Sequence, residues 1–195
     1  MLRAISGINK IGLHLFKDHV LQIPSSTLTH IQITTLLIEF VERIGLTVEM
    51  EAYDEKSFLP GVRIKSGGLS INTERLLYPG DILHEAGHLA VMPLHIRRDM
   101  DGDLPDVDMH RAGELMALAW SYAACLHLKI SPSVVFHEQG YKGGHKELIA
   151  HFEEGANIGL PMLQYHGMAY DAKNAALHNE QPFPHMIHWL CLKEE

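Results

Sequence analysis

Asp81-Ile82-Leu83-His84-Glu85-Ala86-Gly87-His88-Leu89-Ala90-Val91 is the stretch on which the reading of this chain turns. Pro79-Gly80 ahead of it and Pro93 behind it bound a helix that runs through about Val91. On a helix, residues four apart lie on one face, so His84 and His88 can bind one cation together. Glu85 points about 100° around the helix from His84. It is therefore near such a cation without being forced to ligate it, where a base must sit to take a proton from a polarised water. Gly87 in mid-helix costs about 1 kcal/mol against Ala, so it is expected to serve a close approach by a neighbouring element or a substrate. The competing reading is an amphipathic helix carrying two surface histidines.

Upstream, Ser25-Ser26-Thr27 offers an N-cap cluster. Apolar Ile33, Leu37, Phe40, Val41 and Ile44 then recur at helical spacing, which predicts a helix from about Leu28 to Ile44 that Gly45 stops. Leu46–Met50, Val62–Lys65 and Leu69–Asn72 alternate and predict three short strands. With short gaps between them, a small and largely antiparallel sheet is expected. Downstream, residues 97–108 form a polar loop. Its Asp99, Asp101 and Asp103 do not meet calcium-loop spacing, because His110 stands where Glu is required. A long helix from near Asp108 to about Lys129 follows, then a strand-like Val134-Val135-Phe136. A helix at about His145–Glu154 and a tail with short helical pieces complete the chain. The order implies one α+β domain over 1–195: an N-terminal helix and a small sheet packed on the His-Glu helix, then a mainly helical C-terminal part.

His84-Glu85-Ala86-Gly87-His88 resembles the active-site helix of the zincin metallopeptidases. The resemblance implies a zincin-like fold, a bound Zn2+ and a peptide or protein substrate. A catalytic zinc takes three protein ligands and one open position. The metzincin branch would carry Gly at position 91 and His at position 94, where this chain has Val91 and Leu94. The gluzincin branch takes a Glu from a later helix, and Glu114 fits that place. Its helical neighbours Ala117, Leu118, Ser121 and Cys125 are small or apolar, so a carboxylate there is buried and needs a partner. Arg111, or the start of a helix, offers Glu114 an explanation without metal. HEAGH is also similar to the membrane-anchored AAA proteases, whose third ligand is a distant Asp. Asp171 is the alternative third ligand on that resemblance, although no G-x-x-x-x-G-K-[ST] loop is present.

Hydrolysis on such a site needs a hydrogen-bond donor for the oxyanion. Tyr141, His137, Tyr165 and His166 are the candidates, with His145 and Tyr170 behind them. Gly140, Gly143 and Gly144 flank Tyr141 and would let its loop close over a substrate. Asp108 or His110 would orient a ligating imidazole.

Composition bounds the rest. With 195 residues, 46% apolar, a full core can be built. A net charge of -8 with no Lys/Arg cluster disfavours nucleic acid. No apolar run is long enough to span a bilayer. The N-terminal stretch lacks a continuous signal-type core, so a cytoplasmic protein with reduced Cys125 and Cys191 is expected. The oligomeric state stays open. The expectation is a small zinc-dependent hydrolase, a metallopeptidase, with His84, His88 and Glu114 as ligands and Glu85 as base. The alternatives are a non-catalytic, metal-stabilised binding or regulatory domain, and a plain interaction module whose motif is fortuitous.

Overall fold

Thr29 opens the first described helix. Its hydroxyl accepts from the Gln32 amide while the Gln32 side chain accepts from the Thr29 amide, a reciprocal cap. The structure, a computed structural model, describes residues 28–53, 59–102, 108–141 and 143–194, and the side chains of 108–111 are outside that description. The readings made at residues 1–25, at Ser26-Thr27, at Asp103 and at the Asp108, His110 and Arg111 side chains therefore lie outside the described residues.

The capped helix, α1, spans His30–Arg43 and buries Leu37, Phe40 and Val41. Gly45 ends it at φ 102, a conformation in which a Cβ is strained. Then come β1 (Val48–Met50), β2 (Val62–Lys65) and β3 (Gly68–Ile71). The strands form where the alternation predicts, but the sheet is mixed rather than mostly antiparallel. Its order is β1-β3-β2, with β2–β3 antiparallel and β1–β3 parallel. Ser66 and Gly67 turn the hairpin, both at positive φ. Every residue of β3 is buried whereas β1 is mostly exposed, so β3 takes the centre. That leaves β1 the free edge of β3.

The helix α2 (Asp81–Ala90) lies against α1, β2 and β3 on one side and α4 (Asp108–His127) on the other. Ile82, Leu83, Ala86, Leu89 and Ala90 are fully buried, and so is Trp120 of α4. Gly87 has the packing reason expected of it: a Cβ there would lie 3.1 Å from the Ala117 carbonyl oxygen. Ser121 adds a bond across the same seam, from its hydroxyl to the Leu83 carbonyl at 3.1 Å. Gly80 at the N-cap likewise lets α2 start hard against the Val134 backbone.

Between α2 and α4 sits the short α3 (Leu94–Arg97). After α4, Pro132–Val134 forms one 3-10 turn capped by Ser131, where a strand-like stretch was expected. The apolarity of Val135 and Phe136 reflects full burial, not extension. The C-terminal part carries α5 (His145–Glu153), α6 (Leu160–Tyr165) and α7 (Ala172–His178). The result is an α+β architecture with a three-stranded sheet and seven helices among the described residues. Among the described residues, no helix is long and apolar enough to cross a membrane.

Candidate metal centre

The α2–α4 seam fixes the site. His84 and His88 leave one face of α2, and Glu114 faces them from α4. His88 Nε2 is 3.2 Å from His84 Nε2. Glu114 Oε2 lies 3.1 Å from His88 Nε2 and 3.8 Å from His84 Nε2. One ligand atom from each of the three lies within 4.8 Å of the others, and among the described residues no fourth His, Cys, Asp or Glu joins them. The two imidazoles meet edge to face, centroids 4.7 Å apart.

Burial, and then the charge of His88, hold the His84 imidazole down at about 4 against the pull of Glu114. The ring is therefore neutral at pH 7, with a lone pair to offer. Burial pushes the Glu114 carboxyl up, but the hydrogen bond from His88 and the charges of both histidines outweigh it. Glu114 is thus held ionised. Two imidazoles and one carboxylate are a donor set that could hold a divalent metal ion. The His84 and His88 Nδ1 atoms are buried without a hydrogen-bond partner. The orienting bonds expected from Asp108 or His110 fall on side chains outside the description.

His84 also makes stability pH-dependent in the metal-free protein. The unfolded chain takes up the proton near pH 6.5 and the folded chain only near about 4. The contribution is therefore full above pH 6.5 and is lost as pH falls through about 4. At ~1.4 kcal/mol per pH unit it amounts to on the order of 3 kcal/mol. Urea unfolding with chelator present is expected to show wild type losing stability from pH 7 to pH 4.5 more steeply than His84→Asn.

A second polar unit adjoins the first. His137 Nε2 meets Asp81 Oδ1 at 3.0 Å, and the imidazole stacks on Tyr78 at 3.9 Å between centroids. Burial raises the Asp81 carboxyl while His137 pulls it back, with a net upward shift. Gly140 leaves room for this ring, since a Cβ there would lie 3.0 Å from His137 Cε1. Tyr141 stands edge-on to both His84 and His137, 6.4 Å from each. Burial, followed by the negative charges of Glu114, Asp81 and Glu85, drives its phenol upward. Tyr141 therefore keeps its O–H as a donor.

Of the oxyanion candidates, the structure brings Tyr141 and His137 to the cluster. The other two make different contacts. Tyr165 is exposed under the Lys193 ammonium, 3.3 Å from its ring centre, and His166 Nδ1 meets Cys191 Sγ at 3.3 Å. Tyr170 stacks on His178. Asp171 is not brought to the cluster either: it caps α7, accepting from the Asn174 amide at 2.7 Å. Asp81 and Tyr78 were missed by sequence reasoning. The available signal was Asp81 standing three residues before His84, on the same helical face.

No protein-family model, curated protein or solved structure matches this chain.

Proposed function

We propose that this protein is a small zinc-dependent hydrolase of gluzincin-like type that cleaves peptide bonds, with zinc held by His84, His88 and Glu114. The observation that carries the reading is the convergence of His84 Nε2, His88 Nε2 and a Glu114 oxygen from two separate helices within 4.8 Å. The Glu114 side chain is 42% exposed, so the centre is open on one side. A closed structural site recruits a fourth protein ligand; among the described residues none joins the three, and the Asp108 and His110 side chains lie outside them.

Bound zinc supplies Lewis acidity that brings a water's pKa from 15.7 towards about 7. Glu85, next to His84 and half-buried, accepts the proton of the attacking water and returns it to the leaving amine. Tyr141 donates its O–H to the oxyanion as the carbonyl carbon becomes tetrahedral, while His137, its Nε2 held by Asp81 Oδ1 and its ring stacked on Tyr78, lies alongside. The peptide substrate rests on the motif's resemblance to zincins.

Elemental analysis of the full chain is expected to give one zinc per molecule. A quenched-fluorescence peptide mixture is expected to be cleaved, with activity lost to chelator and restored by zinc. Failure to take up zinc from excess would refute the reading. Tight zinc without any turnover would favour a metal-stabilised binding domain.

A further inference from the structure

Phe40, His127 and Trp189 meet where α1 and α4 end. The Phe40 and His127 rings lie 5.0 Å and 5.1 Å from that of Trp189, centroid to centroid, the first edge to face. Trp189 is half-buried and held from behind, because its backbone carbonyl accepts from the Trp120 indole N–H at 2.9 Å. With Leu190 and Leu192 these rings floor an open groove of ≈ 380 Å³, a size within the ~300–1,000 Å³ of small-molecule sites. No member of the proposed metal centre lines it. His127 stands roughly 20 Å along α4 from Glu114, at a rise of about 1.5 Å per residue.

The rim is basic, in a chain whose net charge is -8. Arg43, the last residue of α1, and His127, the last of α4, line the groove together with His188, and all three are exposed. A positive side chain at a helix C-terminus also offsets the helix dipole. Here the backbone meets much of that demand: the Leu46 amide closes on the Val41 carbonyl at 3.2 Å, and the Ile130 amide on the Cys125 carbonyl at 3.0 Å. A guanidinium stays charged throughout the working pH range, and its planar N–H fork matches a carboxylate. The aromatic floor suits a flat apolar body. An ammonium ligand, which such a floor alone would take, meets the Arg43 charge.

We infer that this groove is a second binding site, separate from the metal centre, whose ligand is a small aromatic carboxylate. The ring lies against Trp189, Leu190 and Leu192. The carboxylate pairs with Arg43, and the His127 and His188 imidazoles are further N–H donors at the rim.

The test is equilibrium dialysis of the full chain against 1-naphthylacetate, its neutral amide 1-naphthylacetamide, and the cation 1-naphthylmethylamine. The acid is expected to bind with a Kd of ~1 mM or below, and at least ~10-fold more tightly than the amide or the amine. Arg43→Gln is expected to weaken the acid about tenfold and leave the amide unchanged, while Arg43→Lys recovers part of the loss. Arg43 is exposed, so neither variant disturbs the core. Excess chelator is expected to leave the affinity for the acid as it was. Binding lost to chelator would put the carboxylate on a metal ion and overturn the inference. So would no binding of the acid, equal affinity for acid and amide, tighter binding of the amine, or an Arg43→Gln that holds the acid like wild type. Self-association in the ultracentrifuge that the acid does not relieve would make the groove an interface between copies of the chain instead.

Discussion

Glu85→Gln is expected to bind zinc as tightly as wild type and to lower kcat by about 10²–10⁴-fold with little change in KM. The substitution keeps the size and the hydrogen-bonding reach of the side chain and removes only its capacity to carry a proton. Glu85 is not among the three residues whose ligand atoms converge, so its loss removes no ligand from the metal. It is nevertheless near the reacting region, because its charge is one of those that drive the Tyr141 phenol upward. A loss confined to kcat marks a group acting in the transition state rather than in substrate binding. Zinc titration and steady-state kinetics on the same preparation separate the outcomes. Full activity would remove Glu85 from the mechanism, and loss of zinc would make it a ligand instead of a base.

What was legible in the sequence was whatever depends on short spacings. His84 and His88 are one helical turn apart, so their shared face follows from the helix alone. Glu114 was reached by expecting a carboxylate among Ala117, Leu118 and Ser121 to be buried and to need a partner; its side chain is instead 42% exposed, yet it lies 3.1 Å from His88. The mid-helix Gly87 signalled a close approach, and that approach is to Ala117. The same seam brings the α4 carboxylate within reach of the α2 histidines.

What was not legible depends on partners far apart in the chain. Asp81 looks like an ordinary first-turn acid that complements the helix dipole, whereas its partner His137 lies 56 residues away. The pairing of β1 with β3 rather than β2 is a choice between distant edges, and alternation within a strand carries no information about it. Val134-Val135-Phe136 has the composition of a strand, yet Pro132 and the Ser131 cap turn the chain there and burial accounts for the apolar run. Asp171, a possible ligand by resemblance, is held by the local demand of a helix start.

Glu114→Gln is expected to weaken zinc binding by more than the 10–100-fold typical of residues that merely orient a ligand, and to abolish hydrolysis at limiting zinc. The carboxylate carries the only negative charge in the converging trio. An amide oxygen of the same shape brings neither that charge nor comparable donor strength to a divalent ion. The metal-free fold should change little, because the Glu114 side chain is 42% exposed and its contact with His88 is partly screened by solvent. Competition with a chromophoric chelator measures the affinity, and thermal unfolding in excess chelator measures the fold. Asp171→Asn makes the contrast: zinc affinity unchanged and at most about 1 kcal/mol lost from the α7 cap. If Glu114→Gln instead left zinc affinity at the wild-type value, the carboxylate would be only a neighbour of His88 and the proposed hydrolytic centre would lack its third ligand. If Asp171→Asn lost the metal, the distant Asp would have to reach a site from which the structure holds it apart.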